Sequence, residues 1–239
     1  MAAVLDHIHM GSTNIYTSAY NLTKTTGIGH YDGGFMSSVT IGHKAVPLGG
    51  QVYIEIESIV DPFAVTPDKE PWFYKKALKA GTEIWSGLCL RVDTMEELGE
   101  IAKRHGGTIS PRAGRRTRPD GPGVKFWSAP SIAGQGSPWE VGKPNWYCWE
   151  DRMYCHPSGQ PVINTPGLVS PQGLDYLEMG GTEKEMEDWL GQPPSTLKMR
   201  FNGKSLGLYA IGVKTDTGKI IEIRRPSATQ ELTVETSSR

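Results

Sequence analysis

Two stretches of this chain carry the same succession of elements, a strand, a helix and three further strands, over residues 4–59 and again over 174–225. The opening strands align residue by residue, since LDHIHMG in the first stretch matches LDYLEMG in the second. The closing strands YIEIE and IIEIR align in the same way. Self-similarity of this kind indicates a fold built from repeated units. The sequence therefore predicts an α+β protein made of repeated βαβββ units, and the two stretches are expected to superpose.

The repeat also predicts how the chain is divided. A first unit with a helical extension spans 1–85, and an irregular middle unit with a connector spans 86–172. A second regular unit spans 173–226, and a polar tail spans 227–239. The 239 residues suit one large domain or two small fused modules, and the 29 Gly and 17 Pro predict many turns between short strands.

Composition argues against several function classes. The formal net charge of -1 gives no signal for a nucleic-acid or membrane partner. No stretch is apolar enough to span a bilayer, and the N-terminus lacks the features of a signal peptide. Three cysteines without a CxxC spacing are expected to be reduced thiols. These features predict a soluble, cytoplasmic protein.

Strand alternation separates polar from aliphatic side chains on two of the predicted strands. In the strand from residue 4, His7 and His9 share one face, while Asp6, Ile8 and Met10 share the other. In the strand from residue 51, the polar face carries Glu55 and Glu57 and the opposite face carries isoleucines. Because the aliphatic faces must pack against helices, the His and Glu side chains are expected to face a cavity.

Imidazoles and carboxylates gathered in a cavity are costly unless they are paired, hydrated or bound to a metal. One or two His with Glu oxygens suit a divalent metal, namely Zn, Mn, Fe or Ni. A hydrogen-bonded polar network without any metal is an equal alternative. His43 is expected at a solvated strand end.

Several short motifs occur in a recognisable order along the chain. They are LDHI at the start, YIEI from residue 53, GLCLRVD at 87–93, RTRPDG at 116–121 and HPS at 156–158. Together they resemble the vicinal-oxygen-chelate superfamily in its glyoxalase-like branch, whose signature is a βαβββ unit used in pairs. The resemblance implies curved mixed sheets that enclose a cup-shaped cavity, as in glyoxalases and extradiol dioxygenases.

The resemblance also implies where a metal would bind, because ligands in the superfamily lie on the first and last strands of each unit. The implied ligands are His7, Glu55 and Glu222, in a cup between the first and third units. Tyr176 occupies a position where the family usually has His, so it is assigned to substrate binding instead.

Other residues receive roles from their position and chemistry. Candidates for moving a proton are His9, Glu57 and Glu178. Candidate substrate-binding residues are Arg116 and Arg118 in the basic run 112–118, together with Trp149 and Tyr176. A guanidinium pairs well with a carboxylate or phenolate, and clustered aromatic residues suit a ring-bearing ligand.

The resemblance implies an enzyme of the lyase, isomerase or hydrolase kind that acts on a small oxygenated molecule, of aromatic or anionic character. One alternative is a ring-cleaving dioxygenase with iron held by His7, His9 and a glutamate. Another is a metal-free protein that binds or sequesters a small molecule. The predicted partner is thus a small-molecule substrate, and a homodimer is the assembly considered.

Overall fold

The computed structural model describes residues 3–36, 40–115, 123–150, 169–225 and 234–237. Eight strands form a closed barrel: β1 (Val4–Gly11), β2 (Tyr31–Met36), β3 (Ile41–Gly49), β4 (Val52–Ile59), β5 (Ile84–Arg91), β6 (Thr108–Arg115), β7 (Gly123–Ser131) and β8 (Asn145–Trp149). Five more form a separate sheet: β9 (Pro171–Gly180), β10 (Met199–Phe201), β11 (Gly207–Thr215), β12 (Ile220–Arg224) and β13 (Val234–Ser237).

Within the described residues, four α-helices accompany these strands: α1 (Ile15–Thr26), α2 (Trp72–Ala80), α3 (Met95–Arg104) and α4 (Glu183–Leu190). Short 3-10 helices cover Pro62–Ala64, Pro138–Val141 and Pro194–Leu197. No helix in the described ranges is both long and apolar enough to cross a bilayer. Thr94 and Thr182 cap α3 and α4, since each accepts a hydrogen bond from the backbone N–H three residues on.

The barrel is built from two halves with the same strand order. Its strands follow the order β1-β4-β3-β2-β6-β7-β8-β5. In each half the first and last strands are parallel neighbours, β1 with β4 and β5 with β8. The halves meet along the antiparallel pair β1 and β5 and through one bridge between Phe35 and Arg115. The repeated βαβββ units thus span 4–59 and 84–149.

The separate sheet does not repeat this order. Its strands follow β10-β9-β11-β12-β13, so β9 pairs with β11 and not with β12. The predicted superposition of 4–59 on 174–225 is therefore wrong, although the succession of strand, helix and three strands is right. Alternation records which face of a strand is buried, but it carries no information on which strand lies beside it.

The aliphatic faces of β1 and β4 form the outer surface of the barrel. Ile8, Ile54 and Ile56 are fully buried there, and α1 covers this surface with Ala19 and Leu22. Each such side chain stabilises the fold by roughly 1.5–3 kcal/mol on burial. The alternate residues of both strands point inward, which places their His and Glu side chains in the barrel. The α+β class and the cup-shaped cavity are as predicted.

Candidate active site

β1 and β4 lie side by side, and their register places two histidines next to two glutamates. His9 lies opposite Glu55 along the parallel ladder. The Nε2 atom of His9 lies 2.6 Å from Glu57 Oε2, and that of His7 lies 3.2 Å from Glu55 Oε2. The structure thus brings together the four side chains that alternation placed on one face.

β3 contributes a third imidazole, that of His43. Its Nε2 atom lies 3.5 Å from Glu55 Oε1, and only 13% of its side chain is exposed. Gly33 on β2 leaves room for the ring, because a Cβ there would lie 2.0 Å from His43 Cδ2. The prediction that His43 lies at a solvated strand end is wrong, because β3 lies between β2 and β4 in the wall of the barrel.

Asp6 fixes the orientation of the His7 ring. A bulge between Leu5 and His7 interrupts the pairing of β1 with β5, and Asp6 Oδ1 lies 2.7 Å from His7 Nδ1. Since a carboxylate only accepts, Nδ1 carries the proton and Nε2 is directed toward Glu55. Trp149 Nε1 donates to the other Asp6 oxygen at 3.1 Å. Asp6 was not among the predicted site residues, because perfect alternation places it on the aliphatic face.

Two imidazole nitrogens of this cluster are available to a ligand. His7 Nε2 is near Glu55 but is not aligned for a hydrogen bond, and His9 Nδ1 is buried with no hydrogen-bond partner among the described residues. A nitrogen lone pair and a carboxylate that approach each other without a hydrogen bond suit a shared cation. The donor set of imidazoles and carboxylates fits a divalent metal of the kind the resemblance implied. His9, Glu55 and Glu57 also lie close enough to share one ion.

Carboxylates make the site rich in negative charge. Asp6 and Glu57 are buried, and Arg91 Nη1 lies 3.5 Å from the Asp6 carboxylate. Burial acts to raise the pKa of Glu57, but the charge and hydrogen bond of His9, helped by His43, outweigh it and lower that pKa. Glu57 is therefore an ionised carboxylate at neutral pH. Positively charged imidazoles or a bound cation balance such a cluster.

Aromatic residues form the walls of the cavity above the cluster. The cavity has a volume of about 460 Å³, in the range of small-molecule sites. Its aromatic lining residues are Phe35, Trp72, Phe73, Phe126, Trp139, Tyr147 and Trp149. Burial, aided by the negative charge of Glu55, raises the pKa of the Tyr147 hydroxyl well above its ordinary value. Tyr147 therefore stays protonated and can donate a hydrogen bond into the cavity.

Trp139 reaches the histidines because the opposing strand carries a glycine. Gly87 on β5 lies opposite His9, and a Cβ at Gly87 would lie 2.2 Å from the Trp139 indole. The indole donates from Nε1 to Leu88 O at 2.8 Å, and its centroid lies 4.7 Å from that of the His9 ring. The indole thus covers the histidine cluster from the second half of the barrel.

Two cations of the part of the chain that the structure describes line the cavity. Arg112 lies on β6, where its Nε atom is 3.4 Å from Ser128 Oγ, and Lys69 lies before α2. Arg112 belongs to the basic run singled out in the sequence. The predicted substrate-binding residues Arg116 and Arg118 lie outside the described residues. Trp149, by contrast, lines the cavity, and its role in substrate binding stays a prediction.

The predicted site residues of the third unit lie elsewhere. Tyr176 donates to the Glu222 carboxylate, and Glu178 accepts from Asn202 Nδ2 at 2.8 Å and pairs with Arg224 at 3.1 Å. All of these belong to the second sheet, and none lines the cavity. The expectation that they converge with His7 is wrong, because the first unit closes its barrel with 84–149 instead.

Among the described residues, β5 does not repeat the histidines that β1 carries. Opposite His7 and His9, β5 carries Cys89 and Gly87, while β8 contributes Asn145 and Tyr147 to the cavity. Burial raises the pKa of the Cys89 thiol well above its ordinary value, so the thiol stays protonated. The imidazoles and carboxylates of the cavity cluster thus all come from the first half.

Comparison with known proteins places this architecture in a family. A profile of the glyoxalase-like domain matches residues 5–190, and the chain therefore belongs to the glyoxalase-like domain family of the vicinal-oxygen-chelate superfamily. No curated protein matches the chain in sequence.

Many solved structures resemble the chain. A hypothetical protein from Staphylococcus aureus is 11% identical and superposes with a TM-score of 0.55, over 95% of this chain and 83% of that one. Methylmalonyl-CoA epimerase from Mycobacterium tuberculosis is 14% identical, with a TM-score of 0.40 over 61% of this chain and 86% of the epimerase. At these identities the likeness concerns the fold alone.

Proposed function

We propose that the protein is an isomerase- or lyase-type enzyme that moves a proton on a small, oxygenated carboxylic acid bound in the barrel cavity. The observation that carries this proposal is the buried pair of His9 and Glu57, joined at 2.6 Å beside the cluster of His7, Glu55 and His43. Glu57 lines the cavity, and general acid–base catalysis requires a titratable group within hydrogen-bond reach of the substrate.

Glu57 and His9 are the proposed proton-transfer residues. The lowered pKa of Glu57 keeps it ionised, so it can accept a proton from a carbon next to a substrate carbonyl. The electron pair left on that carbon moves to the carbonyl oxygen, and the proton returns to another carbon or to the other face. His9 stabilises the charge on Glu57 before transfer. The ring centroids of Trp139 and Phe73 lie 4.7 and 4.8 Å from that of His9, and these rings shield His9 from water.

His7, Glu55 and His43 are the proposed holders of a divalent metal. When bound, such an ion would supply Lewis-acid polarisation of the substrate oxygen. Asp6 contributes by holding the His7 ring with Nε2 toward Glu55, as partners of metal-bound histidines commonly do.

Arg112 and the aromatic walls support an anionic substrate. A guanidinium that lines a cavity pairs readily with a carboxylate. Trp149 and Phe126, whose ring centroids lie 5.0 Å apart, offer flat surfaces to a ring or a planar acid. The proposed substrate is therefore aromatic or anionic.

Metal analysis of matched variants tests the metal assignment. We expect wild-type protein to retain a stoichiometric divalent metal and His7→Ala to lose it while staying folded. His30→Ala is the control, because His30 is exposed and contacts Thr23 rather than the cavity. Glu55→Gln relieves the repulsion between the clustered carboxylates, which can raise the melting temperature. If His7→Ala unfolds the protein or keeps full activity, these residues are structural.

Solvent exchange tests the reaction. Wild-type protein is incubated in D₂O with a panel of 2-oxo and aromatic carboxylic acids, and deuterium at carbon is followed by NMR. We expect incorporation that Glu57→Gln abolishes. Tight binding without incorporation would instead indicate a sequestration protein, and oxygen uptake with a catechol and iron would indicate a ring-cleaving dioxygenase.

A further inference from the structure

A second concavity lies outside the barrel, between α2, β5 and the second sheet. It has a volume of about 480 Å³, again within the range of small-molecule sites. Trp72, Trp139 and Glu140 line both this groove and the barrel cavity, so they form a wall shared by the two spaces. We call this second space the outer groove.

The lining of the outer groove comes from both sheets. At one edge the 3-10 helix 138–141 is followed by Gly142, where a Cβ would lie 2.8 Å from the backbone of Leu206 and Gly207. The chain after the 3-10 helix therefore passes close to the backbone at the start of β11. Beyond it, the apolar part of the groove is formed by Ile84, Leu88, Met179 and Leu208.

Three cations border this apolar surface. Lys76 and Lys79 are three residues apart on α2 and therefore lie on the same side of the helix, and Arg225 follows β12 across the groove. The Lys76 ammonium lies 4.7 Å from the Trp72 ring centroid and 3.4 Å from Glu140 O, which holds it at the groove. The Arg225 guanidinium lies 5.6 Å from the Tyr209 ring centroid.

One acid also lines the groove, and its carboxylate is engaged. Glu140 Oε1 accepts from the Ser137 backbone N–H at 2.9 Å as part of a capping box. Among the described lining residues, the groove therefore presents three cations and this single carboxylate above an apolar surface. A ligand that complements such a surface needs an apolar body and an anionic end.

We propose that the outer groove binds a small, soluble, amphipathic anion, with its apolar body on the groove surface. Its phosphate, sulfonate or carboxylate end pairs with Lys76, Lys79 and Arg225. The proposal is independent of the reaction proposed for the barrel cavity, because its cations and its apolar surface belong to the groove alone. A concave site of this volume suits a molecule in solution better than a flat membrane surface.

A fluorescence titration with 8-anilinonaphthalene-1-sulfonate tests this proposal, since the probe combines an apolar body with one anionic group. We expect saturable binding to wild-type protein. Lys76→Gln/Lys79→Gln/Arg225→Gln should weaken it on the order of tenfold, because each lost ion pair contributes modestly. Lys75→Gln is the matched control, being an exposed lysine of the same helix that does not line the groove.

A further variant locates the probe. Leu206→Glu, which brings a carboxylate to the partly buried groove wall, should also weaken binding. Near-ultraviolet circular dichroism confirms that each variant is folded. Absent binding to wild-type protein or unchanged binding to the triple variant would overturn the proposal. Lysine-dependent sedimentation with phosphatidylglycerol vesicles, without binding of the soluble probe, would also overturn it.

Discussion

Replacing Glu57 with glutamine separates charge from shape in the proposed active site. The side chain keeps its size and an oxygen that can accept from His9 Nε2, now 2.6 Å from Glu57 Oε2. What disappears is the negative charge. The change therefore removes the proposed base and turns a charge-assisted hydrogen bond into a neutral one.

The stability loss follows from that difference. A hydrogen bond to a charged group contributes roughly 1.5–3 kcal/mol and a neutral one about 0.5–1.5 kcal/mol, so Glu57→Gln should cost about 1–2 kcal/mol at pH 7. The folded protein lowers the pKa of Glu57, mainly through His9 acting against burial. The contribution of the carboxylate is thus full above its unfolded pKa of about 4.3 and is lost as pH falls through the lower folded value.

Urea unfolding at pH 7 and at acid pH measures this effect, and deuterium incorporation measures catalysis. We expect the stability gap to close below about pH 4 and the exchange rate to fall by roughly 10²–10⁴-fold at pH 7. Glu178→Gln is the control, since Glu178 pairs with Arg224 on the second sheet. A gap that persists in acid, or an unchanged exchange rate, would refute the reasoning.

Three further predictions concern neighbouring features. Gly33→Ala should displace His43, because the new Cβ would lie 2.0 Å from its ring, and metal analysis should show reduced occupancy in a folded protein. Trp139→Phe removes the hydrogen bond to Leu88 O and should lower the free energy of unfolding by about 1–2 kcal/mol, measured in urea. Burial and Arg104 lower the pKa of His105 to about 4. Its NMR signals should titrate there, and stability should rise with pH between that value and about 6.5, with a shallower rise in His105→Phe.

Local sequence predicted much of the site, because alternation along a strand depends on neighbouring residues only. The inward faces of β1 and β4, with His7, His9, Glu55 and Glu57, follow from it directly. Asp6 could not be predicted as a site residue, because one bulged residue shifts the alternation and no feature of the local sequence marks the bulge. The predicted division into 1–85, 86–172, 173–226 and 227–239 stays a prediction.

Pairing between distant strands could not be predicted in the same way. The middle unit looked irregular because β6 contains Pro111 and Gly114, yet 84–149 repeats the strand order of the first unit. The third unit matched the first in its residues and differs in its order. The pairing between distant strands places Glu178 and Glu222 outside the cavity and His43 inside it. The signal that could have indicated His43 was Gly33, which supplies the space for its ring.

The two halves of the barrel contribute different things to one cavity. The imidazoles and carboxylates of the cluster lie on β1, β3 and β4, while Trp139, Phe126 and Tyr147 come from the second half. Mutations in the second half can therefore reshape the space offered to a ligand while the acid–base groups stay in place. A duplicated unit freed from holding those groups can diversify, so related chains can share one chemistry and accept different molecules.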